Sequence, residues 1–140
     1  MKTWSVLYLL IWVAFVQILM GVIPALYFLV TYGVHPIIGV VVLVLAFLAY
    51  RQVRSTACPD RIKRITKTTF ILAVLQGALG VLLYVFLYTS LANGLVVETI
   101  DFLHVVNALA IITQASSSAT AFDMWEEKEF APAQPPQQGP

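Results

Sequence analysis

Gln17-Ile18-Leu19-Met20-Gly21 and His35-Pro36-Ile37-Ile38-Gly39 return later in altered form, as Gln76-Gly77-Ala78-Leu79-Gly80 and His104-Val105-Val106-Asn107-Ala108. Each half of the chain therefore runs as an apolar segment marked Q-x-x-x-G, a turn, and a second apolar segment that opens on H-x-x-x-(G/A). An aromatic run follows each glutamine segment (Tyr27-Phe28; Tyr84-Val85-Phe86). Residues four apart share a helix face, so each polar side chain has a small residue beside it on the same face. The repetition predicts two helical hairpins that together make an antiparallel four-helix bundle.

Composition places that bundle in a membrane. The 140 residues are 60% hydrophobic and 11% charged, whereas a soluble domain carries roughly twice that charged fraction. The apolar residues fall in long blocks, which predicts spans over about 4–32, 36–50, 68–91 and 102–122. Pro24 is expected to bend the first span, and Pro36 suits the first turn of the second. Met1-Lys2-Thr3 ahead of an apolar run resembles a signal peptide, but the run is too long and no small-residue cleavage site follows. It reads as a retained first span. The fourth span is the least hydrophobic, with Asn107, Thr113, Gln114, Ser116, Ser117, Ser118 and Thr120. Such a helix is expected to face protein over much of its surface. Residues 126–140, acidic and then rich in proline and glutamine, are expected to form an extended tail.

Charge sets the expected orientation and excludes several functions. Arg51, Arg54, Arg61, Lys63, Arg64 and Lys67 are six of the eight basic residues, and they cluster between the second and third spans. The positive-inside rule puts that segment and both termini in the cytoplasm of a multi-pass cell-membrane protein. The cluster reads as a topology signal that also meets anionic lipid. A net charge of +1 argues against nucleic-acid binding. Cys58 is the single cysteine, which excludes an intrachain disulfide and a CxxC pair. No charged residue falls in mid-membrane, which argues against a transporter.

His35 and His104 are the only histidines. Both lie at the same end of the bundle, opposite the basic cluster, on spans that run in the same direction and stand diagonally opposed. Neutral imidazoles on facing helices are a common way to hold haem iron inside a bilayer. The pair is read as the two axial ligands of one haem b. Gln17, Gly21, Gly39, Gln76, Gly80 and Ala108 would frame the site. The small residues serve close helix packing, and they also leave room for a flat macrocycle. Met20 reads as core packing. Asp101 and Glu98 precede His104 within two turns. Asp101 reads as a helix N-cap, or, with Glu98, as a carboxylate that handles protons beside a haem or quinol. Tyr32, Thr89, Ser90 and Asn93 are the neutral groups available to haem propionates at an end without Lys or Arg.

On these residues the chain resembles one four-helix half of heme A synthase, the membrane enzyme that oxidises heme O to heme A. The shared elements are Gln17 with Gly21, His35 with Gly39, Gln76 with Gly80, and His104 with Ala108, over about residues 10–115. The resemblance implies that His35 and His104 ligate one haem. Tyr32 stands where that family's catalytic half carries a glutamate, and the loop before His35 has no cysteine pair. The expected function is a haem b-binding electron-transfer or accessory subunit of a respiratory terminal oxidase complex. Its partners would be other membrane redox subunits or a second copy, and a candidate quinol. The alternatives are a half-sized heme A synthase and a non-haem structural subunit of a membrane complex.

Overall fold

The computed structural model describes residues 2–26, 28, 33–89 and 93–130. Tyr27, Tyr32, Ser90 and the proline- and glutamine-rich stretch 131–140 lie outside the described residues. Among those described, the regular structure is helical. Helix α1 spans Thr3–Val22, α2 Val34–Arg54, α3 Asp60–Thr89 and α4 Gly94–Phe130, with a single 3-10 turn at Pro24–Leu26. All four helices are long and apolar enough to cross a membrane, and much of the bundle's outer surface is large aliphatic and aromatic side chains. Where no water is present to bond the backbone, a helix satisfies its own N–H and C=O groups, which is why the apolar blocks take this form.

The helix boundaries have local causes. Pro24 does more than bend the first span: α1 ends at Val22, and the chain turns at Pro24–Leu26. Proline has no N–H to donate and disfavours the helical conformation of the residue before it. Gly33 supplies a left-handed turn (φ 78°) at the start of α2, a conformation that costs other residues a Cβ clash. The basic segment is not a long loop. Arg51 and Arg54 end α2, and Arg61, Lys63, Arg64 and Lys67 lie on the first turns of α3, so the connection is only residues 55–59. Thr56 and Ser55 donate to carbonyls of the last turn of α2, at Val53 and Gln52, and so satisfy groups that helix end leaves free. At the other end, α4 begins at Gly94, well before Phe102, because Asn93 caps it: its Oδ1 accepts the Val96 N–H at 3.0 Å. The helix also continues through the acidic segment to Phe130, since Glu, Lys and Met are good helix formers whether or not lipid surrounds them.

Each helix packs on its sequence neighbours, and α4 closes the ring on α1. The diagonal pairs α1/α3 and α2/α4 have no close backbone approach among the described residues. The expected up-down arrangement is thus realised. Among the described residues, the hydrophobic core fills the basic half. It joins Val6, Leu7, Leu10 and Ala14 of α1 to Val42, Leu45, Ala46 and Ala49 of α2, Ile62 and Ala73 of α3, and Ile111, Ala115, Ala119 and Phe122 of α4. Alanines at the crossings let the backbones approach. Toward the histidine end the buried set shrinks to Met20, Ile100 and Asn107. Ala115 is fully buried at a close crossing, so Ala115→Leu is expected to destabilise the protein by about 1–3 kcal/mol. Gly33→Ala should cost about 1 kcal/mol through its positive φ alone. Thermal unfolding in detergent checks both.

Candidate functional site

Packing in the first hairpin is reciprocal. A Cβ built on Gly21 of α1 would lie 3.5 Å from Cε1 of His35 on α2, and one built on Gly39 of α2 would lie 3.3 Å from Nε2 of Gln17 on α1. The Q-x-x-x-G face and the H-x-x-x-G face therefore interlock: each polar side chain occupies the gap left by the other helix's glycine. The second hairpin repeats half of this. Gly80 of α3 faces the His104 ring of α4, with 3.3 Å from its ideal Cβ to Cε1. Ala108 is half-buried one turn inward. The glycines thus receive the imidazoles and the Gln17 amide rather than leaving an open notch.

The interlocking aims both imidazoles inward from diagonal helices. Their ring centroids are 6.3 Å apart with the planes tilted by 46°. Both rings are half-buried. Nδ1 of His35 and Nδ1 of His104 are buried without a hydrogen-bond partner. Buried polar atoms are nearly always paired, so each orphan marks a ring that is not committed to a protein partner through that nitrogen.

The two glutamines hold the ends of the site differently. Gln17 Nε2 donates to the backbone carbonyl of His35 at 2.8 Å and leaves its own Oε1 buried and unpaired. Gln76 Oε1 instead accepts from Asn107 Nδ2 at 2.7 Å, and the same amide nitrogen donates to the Leu72 carbonyl at 3.0 Å. Asn107 is the residue that sequence reasoning missed: it was visible only as one of several polar groups on the fourth span. The available signal was its position three residues after His104, on the same face and opposite Gln76.

Among the described residues neither carboxylate hydrogen-bonds to this polar network, although the charge of Asp101 reaches His104. Glu98 and Asp101 are both exposed on α4. Asp101 is not the N-cap expected of it, because the helix starts at Gly94 and Asn93 does the capping. Of the neutral groups proposed for propionates, Thr89 donates to the Val85 carbonyl at 2.6 Å. Asn93 has its oxygen engaged by Val96, which leaves its amide N–H groups as free donors. Among the described residues, no group of three or more His, Cys, Asp or Glu side chains could hold a metal ion.

No family model, curated protein or solved structure matches this chain, and nothing in those comparisons links it to heme A synthase.

The glycine contacts predict an asymmetry. Replacing a helical glycine by alanine gains up to about 1 kcal/mol where the methyl fits. At Gly21 the methyl meets ordinary van der Waals distance, whereas at Gly80 it crowds His104. Gly21→Ala should therefore be more stable than Gly80→Ala by about 1 kcal/mol, read as the difference in unfolding midpoint. Asn107→Leu removes both bonds to α3 and should cost about 1 kcal/mol, with a smaller loss on replacing Thr113, which bonds only within its own helix.

Proposed function

We propose that this protein is a haem b-binding membrane protein in which His35 and His104 are the two axial ligands. We further propose that it acts as an electron-transfer or accessory subunit of a respiratory oxidase complex in the cell membrane, with the basic end and both termini in the cytoplasm. The observation that carries the reading is the 6.3 Å between imidazole centroids. Two imidazoles that each place a nitrogen about 2 Å from one metal, on opposite sides, have centroids roughly 6 Å apart. Neither imidazole is committed to a hydrogen bond through Nδ1, so both rings are open to a partner. Among the described residues, few side chains are fully buried at the histidine level.

When bound, the haem would supply one-electron chemistry. The chain's own residues would do the rest. Gly21 and Gly80 set how far each ring can lean. Gln17 ties the first turn of α2, which carries His35, to α1, and Asn107 with Gln76 ties the turn after His104 to α3. A haem there would sit among apolar helices, where a low dielectric raises the energetic weight of any charge on the metal.

A second reading is a structural subunit, favoured by the same cross-helix bonds of Gln17, Gln76 and Asn107, which hold helices together with no cofactor. A half-sized heme A synthase is the third, with Asp101 or Glu98 as its carboxylate. The reduced-minus-oxidised spectrum of protein purified after expression with ample haem separates them. A b-type band is expected, lost in His35→Ala and in His104→Ala and retained in Asp101→Asn. A colourless wild-type protein would overturn both haem readings. Heme A formed in a host lacking its own synthase would select the third.

A further inference from the structure

A groove of about 510 Å³ opens between α3 and α4 at the basic end, far from the histidines, lined by Arg61, Ile65, Ser116, Ser117, Thr120, Ala121 and Met124. Its chemistry is divided. Arg61 stands on the first turn of α3, where the helix dipole adds partial positive charge. The hydroxyls of Ser116 and Thr120 make no side-chain hydrogen bond among the described residues, while Ser117 donates to the Thr113 carbonyl. Ile65, Ala121 and Met124 supply an apolar wall.

Arg61 is also left uncompensated. Asp60 sits with Lys63 at 3.7 Å, and Arg61 makes no ion pair among the described residues, although Asp123, Glu126 and Glu127 lie on the last turns of α4. The neighbouring hollow at Arg51, Gln52, Arg54 and Ser55 is less suited to an anion. It lies at the carbonyl end of α2. Its Arg54 donates to the Tyr50 hydroxyl, and its Arg51 sits over the Phe47 ring.

We infer that the Arg61 groove holds the headgroup of an anionic phospholipid. The phosphate would take the guanidinium and the two free hydroxyls, and the glycerol and upper acyl chain would lie on Ile65, Ala121 and Met124. The position of the groove supports a lipid as the source. It sits at the end of the membrane-spanning helices, within the belt of Arg51, Arg54, Lys63, Arg64 and Lys67, so an anionic leaflet delivers its ligand laterally.

The test uses the full chain, purified in a neutral detergent and incubated with phosphatidylglycerol, with phosphatidylcholine of the same acyl chains, or with inorganic phosphate alone. Native mass spectrometry counts the lipid retained. Phosphatidylglycerol should be retained about fivefold more strongly than phosphatidylcholine. Arg61→Gln should remove that preference, the pair Ser116→Ala with Thr120→Val should reduce it, and Arg64→Gln should leave it in place. Arg61→Lys keeps the charge and should keep most of the retention, which separates loss of the site from loss of the fold. Equal loss in Arg64→Gln would assign binding to the diffuse basic belt and overturn the inference. So would equal retention of phosphatidylcholine, or displacement of the lipid by inorganic phosphate.

Discussion

Two helices in contact without water between them must fit a bulky polar side chain into a gap on the neighbour, or separate. In this bundle the gaps are Gly21, Gly39 and Gly80, and the side chains that fill them are His35, Gln17 and His104. That complementarity fixes the register of both hairpins. A one-residue slide of α2 along α1 would rotate His35 off Gly21 and put a Cβ against its ring. Because both hairpins are held in this way, the two imidazoles arrive at the same depth, and the diagonal order of the ring of helices turns equal depth into a 6.3 Å meeting.

The bundle divides its stability and its chemistry between two ends. Val6, Leu10, Ala46, Ala49, Ala115 and Phe122 make the basic half a closed apolar core. At the histidine half that role passes to a few hydrogen bonds, from Gln17 to His35 and among Gln76, Asn107 and Leu72. Interhelical hydrogen bonds in a membrane are each worth less than a well-packed core crossing, about 0.6 kcal/mol on average. Among the described residues, the histidine end is therefore held by fewer buried apolar contacts than the basic end.

The four helices and their diagonal order were legible because they rest on coarse signals: apolar block length, and the parity of an up-down chain. The convergence of the histidines followed from that parity. Boundaries were less legible. The acidic segment from Glu126 looked like the start of a tail because it leaves the membrane, yet its residues favour helix, and α4 continues through it. Asp101 looked like a cap because the apolar block begins beside it, whereas Asn93 lies where the turn ends. The different bonding of Gln17 and Gln76 could not be read from identical Q-x-x-x-G strings. It depends on Asn107, whose counterpart after His35 is the apolar Ile38.

Helix α4 has 37 residues, a length of about 56 Å against roughly 30 Å for the hydrocarbon interior of a bilayer. No proline or glycine interrupts it between His104 and Phe130. The acid-bearing turns and the His104 ring are thus parts of one lever, pivoted where Ile111, Ala115 and Ala119 grip the neighbouring helices. Whatever holds the far end of this helix therefore bears on the same uninterrupted element that carries His104.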